Sequence, residues 1–273
     1  MNQAVKITIL DTTLRDGELA LTQKLTVTQK LQLALMLDEA GVDVIEVGYP
    51  GVFPKDWDEV SQVSQHVKHA VVCGLASSKV DEIEAVATAL KSCAHGRINV
   101  FTPIRVETEK ALSDAIEMTQ RSVSLARNYC GDVEWSAFDA TRSHPDVVCK
   151  TVETAIEAGA TTIAIPDSMG VATPLEFAAL INKIKHSVPN IDQATLAVHC
   201  HDDQGHAVDN SLETLTVGTR QIECSINGLG ARAGNADLAE VVEAIAQHPS
   251  FYTTIKPSQL PAISEQVTKL TSK

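Results

Sequence analysis

The amino-acid sequence predicts a single (β/α)8 TIM barrel of the α/β class, and three observations carry that expectation. Short β-branched runs alternate with amphipathic stretches from one end of the chain to the other, the pattern of parallel strands joined by crossover helices. Eight such units can be counted, and eight repeats of one supersecondary unit argue for closure. The length of 273 residues suits one barrel. An open doubly wound sheet is the competing architecture, but it needs fewer strands and a glycine-rich phosphate turn after the first of them. The first turn here reads DTTLRDGE, which is no such fingerprint.

The strands are placed at 5–10 (VKITIL), 42–47 (VDVIEV), 69–74 (HAVVCG), 97–101 (RINVF), 132–136 (DVEWS), 161–165 (TTIAI), 194–199 (ATLAVH) and 220–226 (RQIECSI). Helical patterns lie between them. In 26–40 (TVTQKLQLALMLDEA), Leu31, Leu35 and either Leu33 or Leu37 recur at helix spacing, and Gly41 stands where a C-cap belongs. The stretch 151–165 (TVETAIEAGATTIAI) repeats the order helix, small-residue cap, strand. A last barrel helix falls near 236–247, so the barrel is assigned to 1–247, and 248–273 to a connector and a C-terminal helix.

Bulk composition narrows the function classes. Aromatic residues make up 4% against 44% hydrophobic overall, so the core must be mainly aliphatic. A net charge of −13 opposes binding to nucleic acid or an anionic membrane, so an anionic substrate needs a local basic pocket. No apolar run is long enough to cross a bilayer, and MNQAVKITIL lacks the features of a signal peptide. The six cysteines are scattered without a C-x-x-C pair, as reduced thiols of a cytoplasmic protein would be.

Chemistry in a barrel sits where strands end and loops begin. Asp11, Arg15, Asp16 and Glu18 follow the first strand and Glu46 closes the second; Asp139 and Arg142 follow the fifth. Asp167 and Ser168 follow the sixth, His199 and His201 close the seventh, and Asn227, Arg232 and Asn235 follow the eighth. The sharpest signal is His199-Cys200-His201, because residues i and i+2 of a strand point to one side and two imidazoles can grip one cation. Ordinary polar rim residues would give the same spelling. With Asp16 opposite, the set suits Zn, Mn, Fe or Co, or Mg if further oxygens complete the shell. Arg15 could aim a cationic fork at a developing enolate, or merely pair with Asp16 on a solvated loop. The glycine run before the last barrel helix is either an anion cradle or a connector, and Asn235 either caps that helix or reaches the metal. Cys200 should face away from the cation and pack in the core.

Taken together, DTTLRDGE (11–18), GVDVIEVGYP (41–50), DATRSHPD (139–146), IEAGATTIAIPDSMGVATP (156–174), HCHDDQGHAVDNSL (199–212) and NGLGARAGNADLAEVV (227–242) resemble the 2-isopropylmalate synthase and homocitrate synthase family, within the superfamily that includes hydroxymethylglutaryl-CoA lyase. The resemblance covers nearly the whole chain. It implies a Claisen-type condensation of acetyl-CoA, or another acyl-CoA, with a 2-oxo acid on a divalent metal (Mg, Mn or Zn), in a homodimer. It further implies that Asp16, His199, His201 and Asn235 hold the metal, that Arg15 stabilises the reacting oxygen, and that Ser168 touches the substrate carboxylate. A metal-dependent lyase or aldolase, and a non-catalytic barrel that depends on a partner, are the alternatives.

Departures from the family pattern bear on the substrate. Leu19 replaces a glutamine, Arg105 stands in the region of a histidine, and Phe138 replaces a glutamate. Asp202 and Gln204 replace asparagine and leucine, and Ala231 replaces a glutamate before Arg232. Arg105, Phe138, Ser168 and Arg232 are therefore the candidates for binding substrate, with Arg105 favouring an extra anionic group. The resemblance implies that the synthases continue beyond this region into a lid that supplies a histidine and a tyrosine for deprotonation; if this chain is the entire protein, the base must come from within the barrel, with Glu46 and His206 as candidates, or from a partner.

Overall fold

The computed structural model describes residues 4–271. Eight parallel strands close into a barrel in chain order: Thr8–Asp11, Val44–Gly48, Val71–Ser77, Gly96–Pro103, Val133–Phe138, Thr162–Asp167, Thr195–Cys200 and Gln221–Cys224, the last pairing back onto the first at Thr8↔Gln221. Helices follow each strand, among them Val27–Ala40, Pro54–His66, Glu109–Tyr129, Pro174–Ser187 and Leu238–Gln247. The predicted barrel is therefore the observed one.

Two strand boundaries move for a physical reason. The stretch expected at 5–10 breaks at Ile7: Val5–Lys6 leaves the barrel to pair with Phe251–Tyr252, while Thr8–Asp11 stays in it. The eighth strand stops at Cys224 rather than 226, because the chain turns there into Ile226–Gly228 with Asn227 left-handed at φ 57°. Several other strands run further toward the loops than expected, carrying Pro103, Phe138 and Asp167 to the functional face.

Helix Val27–Ala40 starts at a capping box in which Thr26 and Gln29 satisfy each other's backbone N–H groups, and ends at Gly41 with φ 87°. Gly41 is required there twice over, since a Cβ would also meet the Thr254 carbonyl at 2.6 Å. The buried face is Lys30, Leu33, Ala34 and Leu37, leaving Leu31 and Leu35 half-buried. The expected periodicity is right and the stripe is rotated by about a third of a turn.

The main core lies between the strands and the helices and is aliphatic, with Trp135 and Phe177 the large exceptions. Inside the barrel, the only separate apolar cluster among the described residues is small: Leu10, Val44 and Cys73, with Val71 against it. The rest of the lumen is polar, holding Arg97, Glu134, Gln221, Glu223, Glu46 and Asn99. At the other end, Phe251–Tyr252 and the segment after it close the barrel's underside, the Lys256 N–H donating to the Ala40 carbonyl (2.8 Å), and helix Leu260–Thr271 then packs on Val27–Ala40 at the barrel's outside. No described helix is long and apolar enough to cross a membrane.

Candidate metal centre and substrate cavity

Asp16 lies in the loop after the first strand, His199 on the seventh strand and His201 just beyond it, and one ligand atom from each falls within 4.8 Å of the others. All three are buried. The ring orientations are fixed from behind. The His199 Nδ1 is 3.1 Å from a Glu223 carboxylate oxygen, and the His201 Nδ1 is 3.3 Å from the Gly234 carbonyl. A carbonyl accepts only from N–H, so His201 carries its proton on Nδ1 and presents Nε2 forward; the carboxylate favours the same tautomer for His199. Their rings stand 5.0 Å apart.

Asp16 accepts from Arg15 Nη1 on one oxygen (2.8 Å) and from Asn235 Nδ2 (2.9 Å) and the Ala231 N–H (3.1 Å) on the other. Asn235 spends its amide hydrogens on Asp16 and on the Leu229 carbonyl, and its Oδ1 is buried without a hydrogen-bond partner. An orphaned amide oxygen beside a carboxylate and two forward-facing imidazoles fits a fourth ligand position. Asp237, not Asn235, caps the following helix, accepting from the Ala239 and Glu240 N–H groups.

The glycine run is shaped for close approach. A Cβ on Gly230 would lie 2.3 Å from Asn235 Nδ2 and 2.8 Å from Asp16 Oδ2, so only glycine lets this loop close over the cluster. The Ala231 N–H from the same run is already spent on Asp16.

Burial and charge set the ionisation states. Burial would raise Asp16, but the Arg15 charge, with the Asn235 hydrogen bond, wins and holds it well below the usual carboxylate range. Burial lowers His201 to about 4 and pulls His199 down as well. All three are thus in ligand-competent form at neutral pH. Glu223 goes the other way, raised to about 7 by burial and by the nearby Glu46 charge.

Glu46 is fully buried and does not line the cavity. Its carboxylate accepts from Arg15 Nε (2.6 Å) and Thr12 Oγ1 (2.7 Å) on one oxygen and from Asn99 Nδ2 (3.2 Å) on the other. Both oxygens are thus engaged, and the strongest of these contacts fixes the Arg15 guanidinium. His206, the other candidate base, is also outside the lining.

The cavity over this cluster has a volume of about 420 Å³. Arg15, Asp16, Asn99, Ser136, Ser168, His199, His201, Glu223 and Arg232 contribute polar surface, and Tyr49, Phe53, Leu75, Phe101, Phe138 and Met169 apolar surface. Ser168 Oγ accepts from the Asp139 N–H at 2.9 Å. Arg232, left-handed at φ 56°, makes a two-pronged pair with Asp203 (2.9 Å on each prong) and donates to the Ser168 carbonyl. Arg105 departs from expectation: half exposed and 4.0 Å from Asp139, it lies outside the lining. Asn227 faces the C-terminal helix, bonded to Ser264, and Arg142 is paired with Asp139. Cys200 packs in the core as expected.

A second acidic cluster, Glu18, Asp56 and Glu59, also brings its oxygens within 4.8 Å of one another. Two lysines neutralise it: fully buried Lys30 is 2.7 Å from Glu59 and 3.1 Å from Glu18, and Lys55 is 3.0 Å from Glu18 and Glu59 and 3.1 Å from Asp56. Sequence reasoning missed this network and missed Glu223. Glu223 was findable as a charged residue at an inward position of a strand, two places after Gln221; Lys30 gave no signal beyond its place on an otherwise apolar helix face.

A family model described as HMGL-like matches residues 6–267. The chain is 44% identical over 275 residues to the 2-isopropylmalate synthase of Rhodopseudomonas palustris (strain BisB5), and 44% identical over 273 residues to that of Histophilus somni (strain 129Pt). These alignments cover 98% and 97% of this chain but 52% and 53% of the relatives, so the chain spans about half the length of the proteins it matches. Among solved structures, the HMG-CoA lyase of Brucella melitensis superposes with a TM-score of 0.81 at 22% identity, covering 99% of this chain and 100% of that one. The hydroxymethylglutaryl-CoA lyase of Pseudomonas aeruginosa gives 0.82 at 22% identity, covering 100% and 95%. At that identity the likeness is one of fold.

Proposed function

The chain belongs to the HMGL-like family, and from that premise we propose that it joins the acyl group of acetyl-CoA, or of another acyl-CoA, to a 2-oxo acid at a divalent cation, the reaction type named in its 44%-identical relatives. The observation that carries this reading is the gathering of Asp16, His199 and His201 around one point, with the unpartnered Asn235 Oδ1 beside them. One carboxylate, two imidazoles and one amide oxygen suit Mn, Zn or Mg. When bound, such an ion supplies Lewis-acid polarisation of the keto carbonyl.

The chain's own residues supply the rest. Arg15, gripped by Glu46 and Asp16, is a fixed positive charge at the cavity floor, and a cation that need not reorganise is well suited to the oxygen on which charge develops. Glu46 acts as a positioning residue for it. The Ser168 hydroxyl accepts from the Asp139 N–H, which leaves its own proton to donate to the substrate carboxylate. Arg232 supplies positive charge at the cavity wall, braced by Asp203.

The test is release of free thiol from acetyl-CoA in the presence of Mn²⁺ or Mg²⁺ and a panel of 2-oxo acids. Thiol release that needs both metal and oxo acid, and is lost in Arg15→Ala and His201→Ala, is the expected result. Silence across the panel refutes the condensation, and pyruvate or acetoacetate freed from hydroxy acids instead favours cleavage.

A further inference from the structure

One wall of the cavity is aromatic. Phe53, Tyr49, Phe101 and Phe138 form a continuous run, with ring centroids 6.4 Å, 6.1 Å and 6.0 Å apart in that order, the first two contacts edge-to-face. The chain has only ten phenylalanine, tyrosine and tryptophan residues, so four of them serve this one cavity. That concentration is not needed for the core, which is aliphatic. The Tyr49 hydroxyl is tied to the Glu82 carboxylate, so its polar tip is already satisfied and its ring remains as apolar wall. Leu75 and Met169 extend the same surface.

Two of the rings stay partly in water. Phe53 is 43% exposed and Phe138 45% exposed, both on the cavity lining. Exposed aromatic area at a site mouth is stabilised when an apolar group covers it, and an aromatic ladder offers a fifth ring the same kind of contact its members already use. The cations on this part of the lining are already engaged: Lys55 pairs with Glu18, Asp56 and Glu59, Lys24 donates to the Glu18 carbonyl and Arg232 pairs with Asp203, while Arg105 lies outside the lining, 4.0 Å from Asp139.

Resting on the proposed reaction, we infer that the acceptor is a 2-oxo acid with a large apolar side chain of aryl size, bound with its oxo acid end toward Asp16, His199 and His201 and its ring against Phe101 and Phe138. Phe138 is then the residue that sets specificity. A glutamate at that position would put a charge against the substrate ring; phenylalanine instead contributes a stacking partner.

The test is calorimetric binding of four probes to the Mn²⁺-loaded full chain: pyruvate, 3-methyl-2-oxobutanoate, 2-oxoglutarate and 3-phenyl-2-oxopropanoate. Each buried methylene tightens binding about fourfold, so the phenyl acid should bind at least about tenfold tighter than the branched five-carbon acid, with pyruvate and 2-oxoglutarate weaker still. Phe138→Ala should erase most of the phenyl advantage while leaving pyruvate affinity within about twofold, and Phe138→Glu should reverse it. The inference is overturned if the branched acid or 2-oxoglutarate binds as tightly as the phenyl acid, if no probe binds, or if Phe138→Ala keeps the full preference while its thermal melt is unchanged. Binding in the expected order with no thiol release from acetyl-CoA overturns the condensation alone and supports the pocket assignment.

Discussion

Acidification from pH 7.5 to 5.5 should leave divalent metal affinity at Asp16, His199 and His201 almost unchanged. An ordinary histidine titrates near pH 6.5, so at pH 5.5 it is about nine-tenths protonated and must shed that proton to become a ligand. Two such histidines would cost roughly tenfold each, about a hundredfold together or about 2.7 kcal/mol. Here burial lowers His201 to about 4, so only a few per cent is protonated at pH 5.5, on the order of a 0.02 kcal/mol cost. His199 is displaced in the same direction by the same cause, and Asp16 stays ionised because the Arg15 charge, with the Asn235 hydrogen bond, outweighs its burial. Mn²⁺ titration by calorimetry at pH 7.5, 6.5 and 5.5 should therefore give dissociation constants within about threefold of one another. A loss of tenfold or more per pH unit below 6.5 would refute the reasoning, because it would mean that the imidazoles titrate as solvated groups.

Asn235→Ala should weaken Mn²⁺ binding roughly 10- to 100-fold, since it removes both the orphaned Oδ1 and the amide that steadies Asp16; unaltered affinity would exclude a ligand role. Gly230→Ala should lower metal affinity by a similar ~10-fold or more through displacement of Asn235 and Asp16, with far-ultraviolet dichroism unchanged. Lys30→Met should cost roughly 3 kcal/mol, or about 6–12 °C in melting temperature, because it leaves Glu18 and Glu59 buried with Lys55 alone; a shift under about 2 °C would contradict the buried network. Asp11 is raised to about 7 by burial, so its folded form holds a proton more tightly than the unfolded chain does; that contribution to stability is full below about pH 4 and is lost as pH rises through 7. Asp11→Asn should accordingly gain stability relative to wild type between melts at pH 5.5 and pH 8, and equal differences at both would argue against the shift.

The architecture was legible because it rests on a repeated unit, and each repeat constrains the others. The gathering of the candidate ligands was legible for a different reason: His199 and His201 are two apart at a strand end, so the pleat places them on one side without any knowledge of the rest of the fold. Asp16 and Asn235 needed the barrel to be closed before their loops could meet. What did not read out is whatever depends on rotamer and depth. Arg105 and Phe138 stand close together where the fourth and fifth strands end, and nothing local says that the cation turns toward Asp139 while the ring lines the cavity. Glu46 had the right strand end for a base, but its saturation by Arg15, Thr12 and Asn99 arises from three other segments of the chain.

The polar lumen explains how one fold can be both firm and chemically equipped. Arg97 and Gln221 bond Glu134, Gln221 also reaches Glu223, and Glu223 meets His199, so a connected ladder of buried polar groups runs up the barrel axis to the cluster. Such a ladder stabilises little, because the desolvation of its charges offsets much of their attraction. It does restrict each member to one orientation, and a ring that cannot rotate presents its nitrogen to the same point at all times. The aliphatic layer between strands and helices supplies the stability that the lumen does not. Gln221→Leu, two residues behind Glu223 and remote from any ligand, separates the two roles: it should leave the melting temperature within a few degrees while weakening Mn²⁺ affinity about tenfold through a freed Glu223. The opposite pattern, a large drop in melting temperature with unchanged metal affinity, would place the ladder in the core's service and not the site's.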